Sequence, residues 1–230
     1  MADRFFCEDL TSEKPCLSGT EAHHAIHVLR LKYGQAIELF DGVGTVAEAV
    51  IEEIQRDCVI TRTTATSFVE KPTQNVLTIA AVPPKGDRLK WMVEKLTELG
   101  VDTYIPLQTE RSVVEPGKSK LNKLASTVTS AMKQCGRRWR MEIGKPQSLS
   151  ALLQQCKESE DTVLLAHPGG DAEPANIETN CRTLLIGPEG GFTESEVQLA
   201  RAYDARQITW PDSILRIETA ALAFAARLRR

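Results

Sequence analysis

The chain has no pair of cysteines in the C-x-x-C spacing that often holds zinc, and the spacing of its six cysteines suggests neither a zinc site nor a disulfide framework. It has no secretory apolar segment near Met1 and no apolar run long enough to span a bilayer. Repeats and low-complexity tracts are also absent. We therefore expect free thiols, no bound metal, no membrane association and a cytoplasmic location. The six cysteines are Cys7, Cys16, Cys58, Cys135, Cys156 and Cys181.

The net charge of −3 by itself argues against a nucleic-acid partner, but the charges are unevenly distributed. Residues 1–70 contain six basic and twelve acidic side chains, whereas residues 111–145 contain nine basic and two acidic ones. A basic island in an acidic protein is typical of a local nucleic-acid contact. A solvated, lysine-rich helix face produces the same pattern.

The first seventy residues predict a small β-rich domain. Strand-like, β-branched sequence covers residues 37–40, 45–54 and 57–64, with a turn at 41–44 and a short helical piece before them at 21–29. Lys71-Pro72 resembles a linker, because proline restrains the residue before it and cannot continue a strand ladder. We therefore expect one domain at 1–70 and a second at 73–230.

From Asn75 onward, strand and helix patterns alternate. Such alternation predicts an α/β domain with a mostly parallel sheet that is covered on both faces. The predicted strands are 76–82, 104–107, 162–166, 183–186 and 207–210, and the predicted helices are 87–99, 121–134, 148–157, 194–203 and 217–228.

The most informative segment is the glycine-rich stretch at 186–192, which follows an apolar strand and precedes a capping box at 193–196. In open α/β sheets a ligand binds at such a strand end, where glycines allow the backbone to come close. A Walker loop is excluded because no Gly-Lys-Ser/Thr follows, and the glycine spacing does not match the dinucleotide fingerprint. A plain tight turn remains the alternative.

Two further loops, 166–170 and 211–216, also follow short apolar strands. Since the carboxyl ends of parallel strands meet at one edge, we expect the three loops to form one pocket. His167 lies in the first loop, either as a pocket residue or as a turn residue bonded to backbone. The last loop leads into an alanine-rich helix that suits a subunit interface, a tight contact within the domain, or simply high helix propensity.

Two sets of basic or imidazole side chains are candidates for other contacts. Residues 134–140 combine three arginines with one tryptophan, side chains that bind phosphates and stack on bases. A basic helix end followed by a turn has the same sequence. His23 and His27 are spaced to hold a metal from one helix face, but we favour solvent or a phosphate backbone as their partner. The metalloprotease motif H-E-x-x-H is excluded because His24 follows His23.

Seven segments together resemble a known family. They are Arg4-Phe5-Phe6, His27-Val28-Leu29-Arg30, Pro84-Lys85-Gly86-Asp87-Arg88, Lys95-Leu96-Thr97-Glu98-Leu99-Gly100-Val101, Gln134-Cys135-Gly136-Arg137, 186–192, and Ile214-Leu215-Arg216-Ile217-Glu218-Thr219-Ala220. In this order they are similar to the ribosomal RNA small subunit methyltransferase E family, which belongs to the knotted SPOUT methyltransferase superfamily. The resemblance covers nearly the whole chain.

The resemblance implies a fold, a reaction and partners. It implies a PUA-like β-barrel that helps to hold RNA, followed by an α/β domain with a deep trefoil knot. It also implies a homodimer whose active site lies near the subunit interface. The implied reaction is methylation of uridine N3 in 16S ribosomal RNA of the small ribosomal subunit, with S-adenosyl-L-methionine as the cofactor and methyl donor.

The resemblance also implies site residues. Cofactor contact, mostly through main-chain groups, is implied for Leu165, Ala166, His167, Ile186, Gly187, Glu189, Gly191, Ile214, Leu215 and Arg216. Arg137 is the candidate for electrostatic stabilisation or phosphate contact, and Glu98, Glu189 and Glu218 are candidate bases or orienters that each have a structural alternative. RNA contact is implied for Arg4, His27, Arg30, Lys85, Arg88, Arg111, Lys133, Arg138 and Arg140.

The chain departs from the family pattern at one place. Leu-Gly-x-Arg usually precedes Ile-Leu-Arg, but here Trp210-Pro211-Asp212-Ser213 stands there. We expect an altered cofactor affinity or a reshaped pocket rim. The departure leaves open an RNA-binding protein with impaired methyl transfer. Because knotted methyltransferases act on many RNAs, a target in transfer RNA or at another ribosomal position also stays open.

Overall fold

The computed structural model describes residues 2–112, 117–172 and 181–229. The chain divides into two compact units. The first unit combines Met1–Lys71 with Thr129–Arg140, and the second combines Pro72–Val128 with Met141–Arg230. That residues 1–70 and 73–230 form two domains that fold independently stays a prediction.

The first unit is built on a five-stranded sheet. Its elements are β1 (Asp3–Phe6), β2 (Cys16–Ser18), α1 (Gly19–His23), a π-helical turn (His24–Val28), β3 (Ala36–Phe40), β4 (Thr45–Ile54) and β5 (Cys58–Phe68). The strand order is β1-β3-β4-β5-β2, and the β1–β3 pair alone is parallel. The β-rich character predicted for this region is confirmed, while the sequence patterns missed the two short strands β1 and β2.

Alternating side chains of these strands form the core of the first unit. Ile37 and Leu39 of β3 are buried, whereas Glu38 between them is partly exposed. Phe5 and Ile51 are fully buried in the same cluster. This period of two is what a sheet with one face on a core requires.

The expectation of six free thiols is wrong for one pair, because Cys16 and Cys58 form a disulfide. β2 runs antiparallel to β5, with Ser18 opposite Cys58, and this pairing brings the two cysteine Cα atoms to 6.5 Å. The cysteines are 42 residues apart in the sequence, so their spacing does not reveal the strand pairing that joins them. Cys7, Cys135, Cys156 and Cys181 are free.

The second unit contains a parallel sheet flanked by helices. Its elements are β6 (Val76–Ala81), α2 (Arg88–Glu98), β7 (Thr103–Gln108), α3 (Lys118–Cys135, which continues into the first unit), β8 (Glu142–Ile143), β9 (Gln147–Ser148), α4 (Leu149–Glu158), β10 (Thr162–Asp171), β11 (Cys181–Ile186), α5 (Glu194–Ala202), β12 (Arg206–Ile208) and α6 (Ile217–Leu228). The strand order is β12-β10-β11-β6-β7-β8, with β9 beside β7, and every pair is parallel.

The central strands of this sheet are buried on successive residues. Leu77, Ile79 and Ala80 of β6 and Leu184 and Leu185 of β11 have no exposed surface. Consecutive buried residues point to opposite faces of a strand, so both faces of the sheet are covered. The predicted parallel α/β sheet is therefore confirmed.

The predicted loop at 166–170 is wrong, because β10 continues through it to Asp171. The pairing of β10 with β12 shifts register between Ala166 and Asp171, and Thr209 N donates to Asp171 O at 3.0 Å beyond the shift. A Cβ at Gly170 would lie 2.7 Å from the backbone of Gln207 and Ile208. The glycine predicted to make a loop thus permits a close strand-to-strand approach instead.

The described residues contain neither a helix that could span a membrane nor a cluster of metal-binding side chains. No helix in this part of the chain is long and apolar enough to cross a membrane. Residues 2–112, 117–172 and 181–229 also contain no group of three or more His, Cys, Asp or Glu side chains that could hold a metal ion.

Candidate functional site

A pocket of about 370 Å³ lies in the second unit, beside the carboxyl ends of β11 and β12 and the second half of β10. Three segments line it, namely Ala166 to Pro168, the glycine-rich turn at 186–192, and Ser213 to Leu215. Residues from all three predicted regions therefore line one pocket, as expected, although the first region is part of β10 and not a loop. The pocket is of the size that small-molecule ligands occupy in proteins.

The glycine-rich turn is fixed by hydrogen bonds at its end. Gly191 N donates to Pro188 O at 2.8 Å, and Gly191 has a φ of +70°, which favours glycine. Thr193 then caps α5: its Oγ1 accepts from Glu196 N at 3.3 Å, and Glu196 Oε2 accepts from Thr193 N at 2.8 Å. The predicted capping box is confirmed, and it holds the start of α5 beside the pocket.

Gly187 lets the backbone itself form part of the pocket wall. A Cβ at this position would lie 3.0 Å from the ring of Phe192, which is buried and also lines the pocket. A side chain at Gly187 would therefore displace that ring or enter the cavity. This arrangement suits a ligand held by main-chain groups.

Aromatic and aliphatic side chains form the opposite wall. The rings of Trp210 and Phe224 meet edge to face with centroids 5.9 Å apart, and both residues line the pocket. Ile214, also in the lining, is 89% exposed. Asp212 adopts a φ of +62°, so the divergent segment 210–213 turns through a left-handed residue at this rim.

Eight of the ten predicted cofactor residues line this pocket. They are Ala166, His167, Ile186, Gly187, Glu189, Gly191, Ile214 and Leu215. Leu165 is instead fully buried in the sheet, and Arg216 is exposed at the N-cap of α6. Trp210 and Phe224 were missed, although the i, i+4 spacing of Ala220 and Phe224 places both on one face of α6.

His167 presents a polar atom that the described protein does not satisfy. Its Nδ1 is buried and has no hydrogen-bond partner among the described residues. Buried polar atoms are normally bonded. Since His167 contributes to the lining, this nitrogen is available to a ligand in the pocket.

The structure does not bring the three candidate glutamates together. Glu189 is exposed at the pocket, whereas Glu218 is 6% exposed and accepts a hydrogen bond from Arg88 at 3.3 Å. Glu98 lies 2.7 Å from Lys95 near the other end of α2, about 15 Å along the helix from Arg88. The hydrogen bonds that Lys95 donates to Glu94 and Glu98 raise the pKa of Lys95 to about 12.

Two predicted RNA contacts are engaged inside the first unit. The Arg4 side chain is 8% exposed, lies 2.7 Å from Glu38, and donates to Met132 O and Arg137 O at 2.7 and 2.9 Å. Burial lowers the pKa of the Arg4 guanidinium. Lys133 is similarly engaged, with its Nζ 2.8 Å from a carboxylate oxygen of Glu21. Both cations hold residues 129–140 against the sheet.

The arginine- and tryptophan-rich segment packs on the same unit. Trp139 forms a β-bridge with Val43 and donates from Nε1 to Val69 O at 2.9 Å, while the Arg140 guanidinium lies 4.8 Å from the centroid of the Phe6 ring. A Cβ at Gly44, whose φ is +109°, would lie 2.7 Å from the Trp139 ring. Neither sequence interpretation of 134–140 anticipates this structural role.

The remaining predicted RNA contacts differ in their exposure and in their hydrogen-bond partners. His27, Arg30, Lys85 and Arg111 are exposed, and the His27 ring lies 4.8 Å from that of His23. Arg111 donates to Gly190 O, Arg88 to Glu218, and Arg138 to the Ser67 hydroxyl at 2.9 Å. Arg137, the candidate for electrostatic stabilisation, is partly buried in the first unit.

Comparison with known proteins gives matches along nearly the whole chain. The RNA methyltransferase domain family matches residues 70–229, and the RNA methyltransferase PUA domain family matches residues 17–62. Ribosomal RNA small subunit methyltransferase E from Rickettsia conorii is 30% identical over 92% of this chain and 87% of its own length. The Bacillus subtilis protein of the same name is 28% identical over 90% of this chain and 86% of its own length.

Among solved structures, a ribosomal RNA small subunit methyltransferase E from Neisseria gonorrhoeae, bound to S-adenosyl methionine, is 26% identical. It superposes with a TM-score of 0.90, which covers 100% of this chain and 97% of the other. The α/β architecture and the preceding PUA-type region are therefore those of known RNA methyltransferases.

Proposed function

The chain belongs to the ribosomal RNA small subunit methyltransferase E family, and we propose that it methylates N3 of a specific uridine in 16S ribosomal RNA. The methyl donor is S-adenosyl-L-methionine, which the Neisseria gonorrhoeae relative binds. The observation that carries the proposal is the single pocket that three strand-end segments form in the second unit.

The residues of this pocket fit the cofactor. Gly187 leaves no room for a Cβ beside Phe192, so main-chain groups of the turn can approach a ligand closely. The buried, unpartnered Nδ1 of His167 offers a polar contact, and Trp210 with Phe224 offers an apolar wall. Main-chain groups at 186–191 and at Ile214 and Leu215 would hold the cofactor.

The bound cofactor supplies a sulfonium methyl group that is already activated for transfer. The uridine must lose its N3 proton, and the protein must flip the base and align N3 with the methyl group. Of the three glutamates, Glu189 is exposed at the pocket, and we assign it to accept the proton or to orient the base. Arg137 is assigned to stabilise the developing charge on the uridine oxygens or to contact a phosphate.

The substrate-holding parts follow from the family. The PUA-like region helps to hold the RNA, with His27 and Arg30 as exposed contacts, and Lys85 is an exposed contact in the methyltransferase domain. The methyltransferase domain contains a deep trefoil knot, and the active enzyme is a cytoplasmic homodimer with its active sites near the subunit interface. Its partner is the small ribosomal subunit.

Calorimetric titration with S-adenosyl-L-methionine tests the proposal. We expect binding by the wild type and by Gly117→Ala, because no atom of the described residues lies within 4 Å of the new Cβ, and loss of binding in Gly187→Trp. Small ribosomal subunits that lack the mark should then accept one methyl group, and mapping of the modified nucleotide identifies its position. Binding without transfer supports the RNA-binding alternative, and a mark on another RNA contradicts the 16S assignment.

A further inference from the structure

A short turn after β7 reaches the outer face of the glycine-rich turn. Residues 109–112 form this turn, in which Ser112 N donates to Thr109 O at 3.0 Å and Thr109 N donates to the Ser112 hydroxyl at 2.9 Å. The backbone at Arg111 is thus locally ordered. All the contacts described below lie within the second unit.

Two hydrogen bonds connect this turn to the pocket. Arg111 Nη1 donates to Gly190 O at 2.7 Å, and Glu110 N donates to Glu196 Oε1 at 2.8 Å. The other oxygen of the Glu196 carboxylate accepts from Thr193 N at 2.8 Å. Glu196 therefore completes the capping box and fastens the 109–112 turn at the same time.

The Arg111 contact is made to the glycine pair of the pocket wall. Two consecutive glycines, Gly190 and Gly191, leave the backbone free to adopt many conformations in the absence of outside contacts. A Cβ at Gly190 would lie 3.6 Å from Arg111 Cδ, so the arginine stem packs over the turn as well as bonding to it. A charge-assisted hydrogen bond is stronger than a neutral one.

We propose that Arg111 is a positioning residue that holds the glycine-rich turn in the conformation that binds the cofactor. This inference rests on the proposed function for the identity of the ligand, but the ordering of the turn is independent of it. It replaces the role that the family resemblance implies for Arg111, which is direct contact with RNA. Glu196 supports the same turn from the start of α5.

Hydrogen exchange of the cofactor-free protein tests the ordering. In Arg111→Ala, we expect the amide of Gly191, which bonds to Pro188 O, to exchange about tenfold faster than in the wild type. Arg111→Lys retains a cation within reach of Gly190 O and should restore part of the protection. Arg206→Ala removes another exposed arginine from the same unit and should leave this amide unchanged.

Calorimetric titration of the same variants with S-adenosyl-L-methionine, without RNA, measures the consequence. We expect a roughly tenfold higher Kd for Arg111→Ala, a smaller increase for Arg111→Lys, and no change for Arg206→Ala. Unchanged exchange at Gly191 overturns the inference. A normal cofactor Kd with weakened RNA binding also overturns it and supports direct RNA contact. Faster exchange in Arg111→Ala, with no cofactor binding even by the wild type, supports the ordering role and contradicts the proposed function.

Discussion

Glu218, in the first turn of α6, accepts a hydrogen bond from Arg88 at the start of α2 over 3.3 Å, and no described residue bonds to its second carboxylate oxygen. The carboxylate is 6% exposed, whereas the Arg88 side chain is 38% exposed. A buried charge is costly without compensation, so this single arginine offsets much of the cost of burying Glu218.

Removal of the arginine should therefore destabilise the protein. We expect Arg88→Met to lower the free energy of unfolding by about 2 kcal/mol, because it leaves a buried carboxylate without its cation. In the double variant Arg88→Met/Glu218→Gln, the neutral amide should restore about half of that loss. Urea unfolding followed by circular dichroism measures both changes.

Lys90→Met is the matched control, because Lys90 is exposed on the same helix. It should leave the unfolding midpoint within error of the wild type. If Arg88→Met and Glu218→Gln lower the stability additively, the two side chains are not energetically coupled, and the contact has no role in holding α2 against α6.

Trp210 should report occupation of the pocket. Since its ring lines the cavity, we expect S-adenosyl-L-methionine to change the fluorescence of the wild type and this change to disappear in Trp210→Phe. Phenylalanine retains an aromatic wall against Phe224, so Trp210→Phe should bind the cofactor within about threefold of the wild-type affinity. Trp210→Ala removes the wall and should weaken binding by about tenfold or more.

Trp91 provides the control for this measurement. It is 46% exposed on α2 and does not line the pocket, so Trp91→Phe should keep the cofactor-dependent fluorescence change. A signal that survives in Trp210→Phe would show that the cofactor binds away from the aromatic wall. Calorimetry on both variants separates a lost signal from lost binding.

Local sequence patterns predicted the elements of the second unit well. The capping box at Thr193 and the helical period of α2 depend on residues within one or two turns, and both are confirmed. The extension of β10 to Asp171 was missed because it depends on β12, which lies far along the chain. The Cys16–Cys58 disulfide was missed for the same reason.

The site residues show the same contrast between features set by local sequence and features set by distant partners. A pocket at the strand ends follows from parallel topology, so Gly187 and Ile214 were located from sequence. The basic residues were harder to assign, because a sequence does not show which cations have internal partners. Arg4 and Trp139 are residue types that often contact RNA. Here they donate hydrogen bonds to the backbone carbonyls of Met132 and Val69.

Arg4 and Arg30 should therefore behave differently when substituted. Arg4→Met loses two carbonyl partners and the ion pair with Glu38, so we expect the free energy of unfolding to fall by about 2–3 kcal/mol. Arg30 is exposed and should contribute only to RNA binding, so Arg30→Ala should weaken RNA affinity several-fold with no change in the unfolding midpoint.

Chemical denaturation and RNA titration at several salt concentrations separate the two cases. If Arg30 contacts a phosphate, Arg30→Ala should reduce the salt dependence of binding by about one counterion. A stable Arg4→Met variant with selectively weakened RNA binding would contradict the internal role of Arg4. A loss of stability in Arg30→Ala would contradict its assignment as a surface contact.

The cysteines should differ sharply in reactivity in the folded protein. Burial raises the pKa values of the Cys7 and Cys156 thiols, so at pH 8 less of each is the reactive thiolate, and access to both is blocked. Cys135 is exposed, and we expect it to react first with iodoacetamide. Burial also raises the pKa of Cys181, which should react more slowly than Cys135.

Mass spectrometry of the alkylated protein counts these thiols. The folded protein should gain one label rapidly, and Cys135→Ser should remove that rapid phase. After unfolding without reductant the chain should gain four labels, and after reduction six, because Cys16 and Cys58 are paired. Six labels on the unreduced, unfolded chain would contradict the disulfide. Rapid labelling of Cys156 in the folded protein would contradict its burial on the inner face of α4.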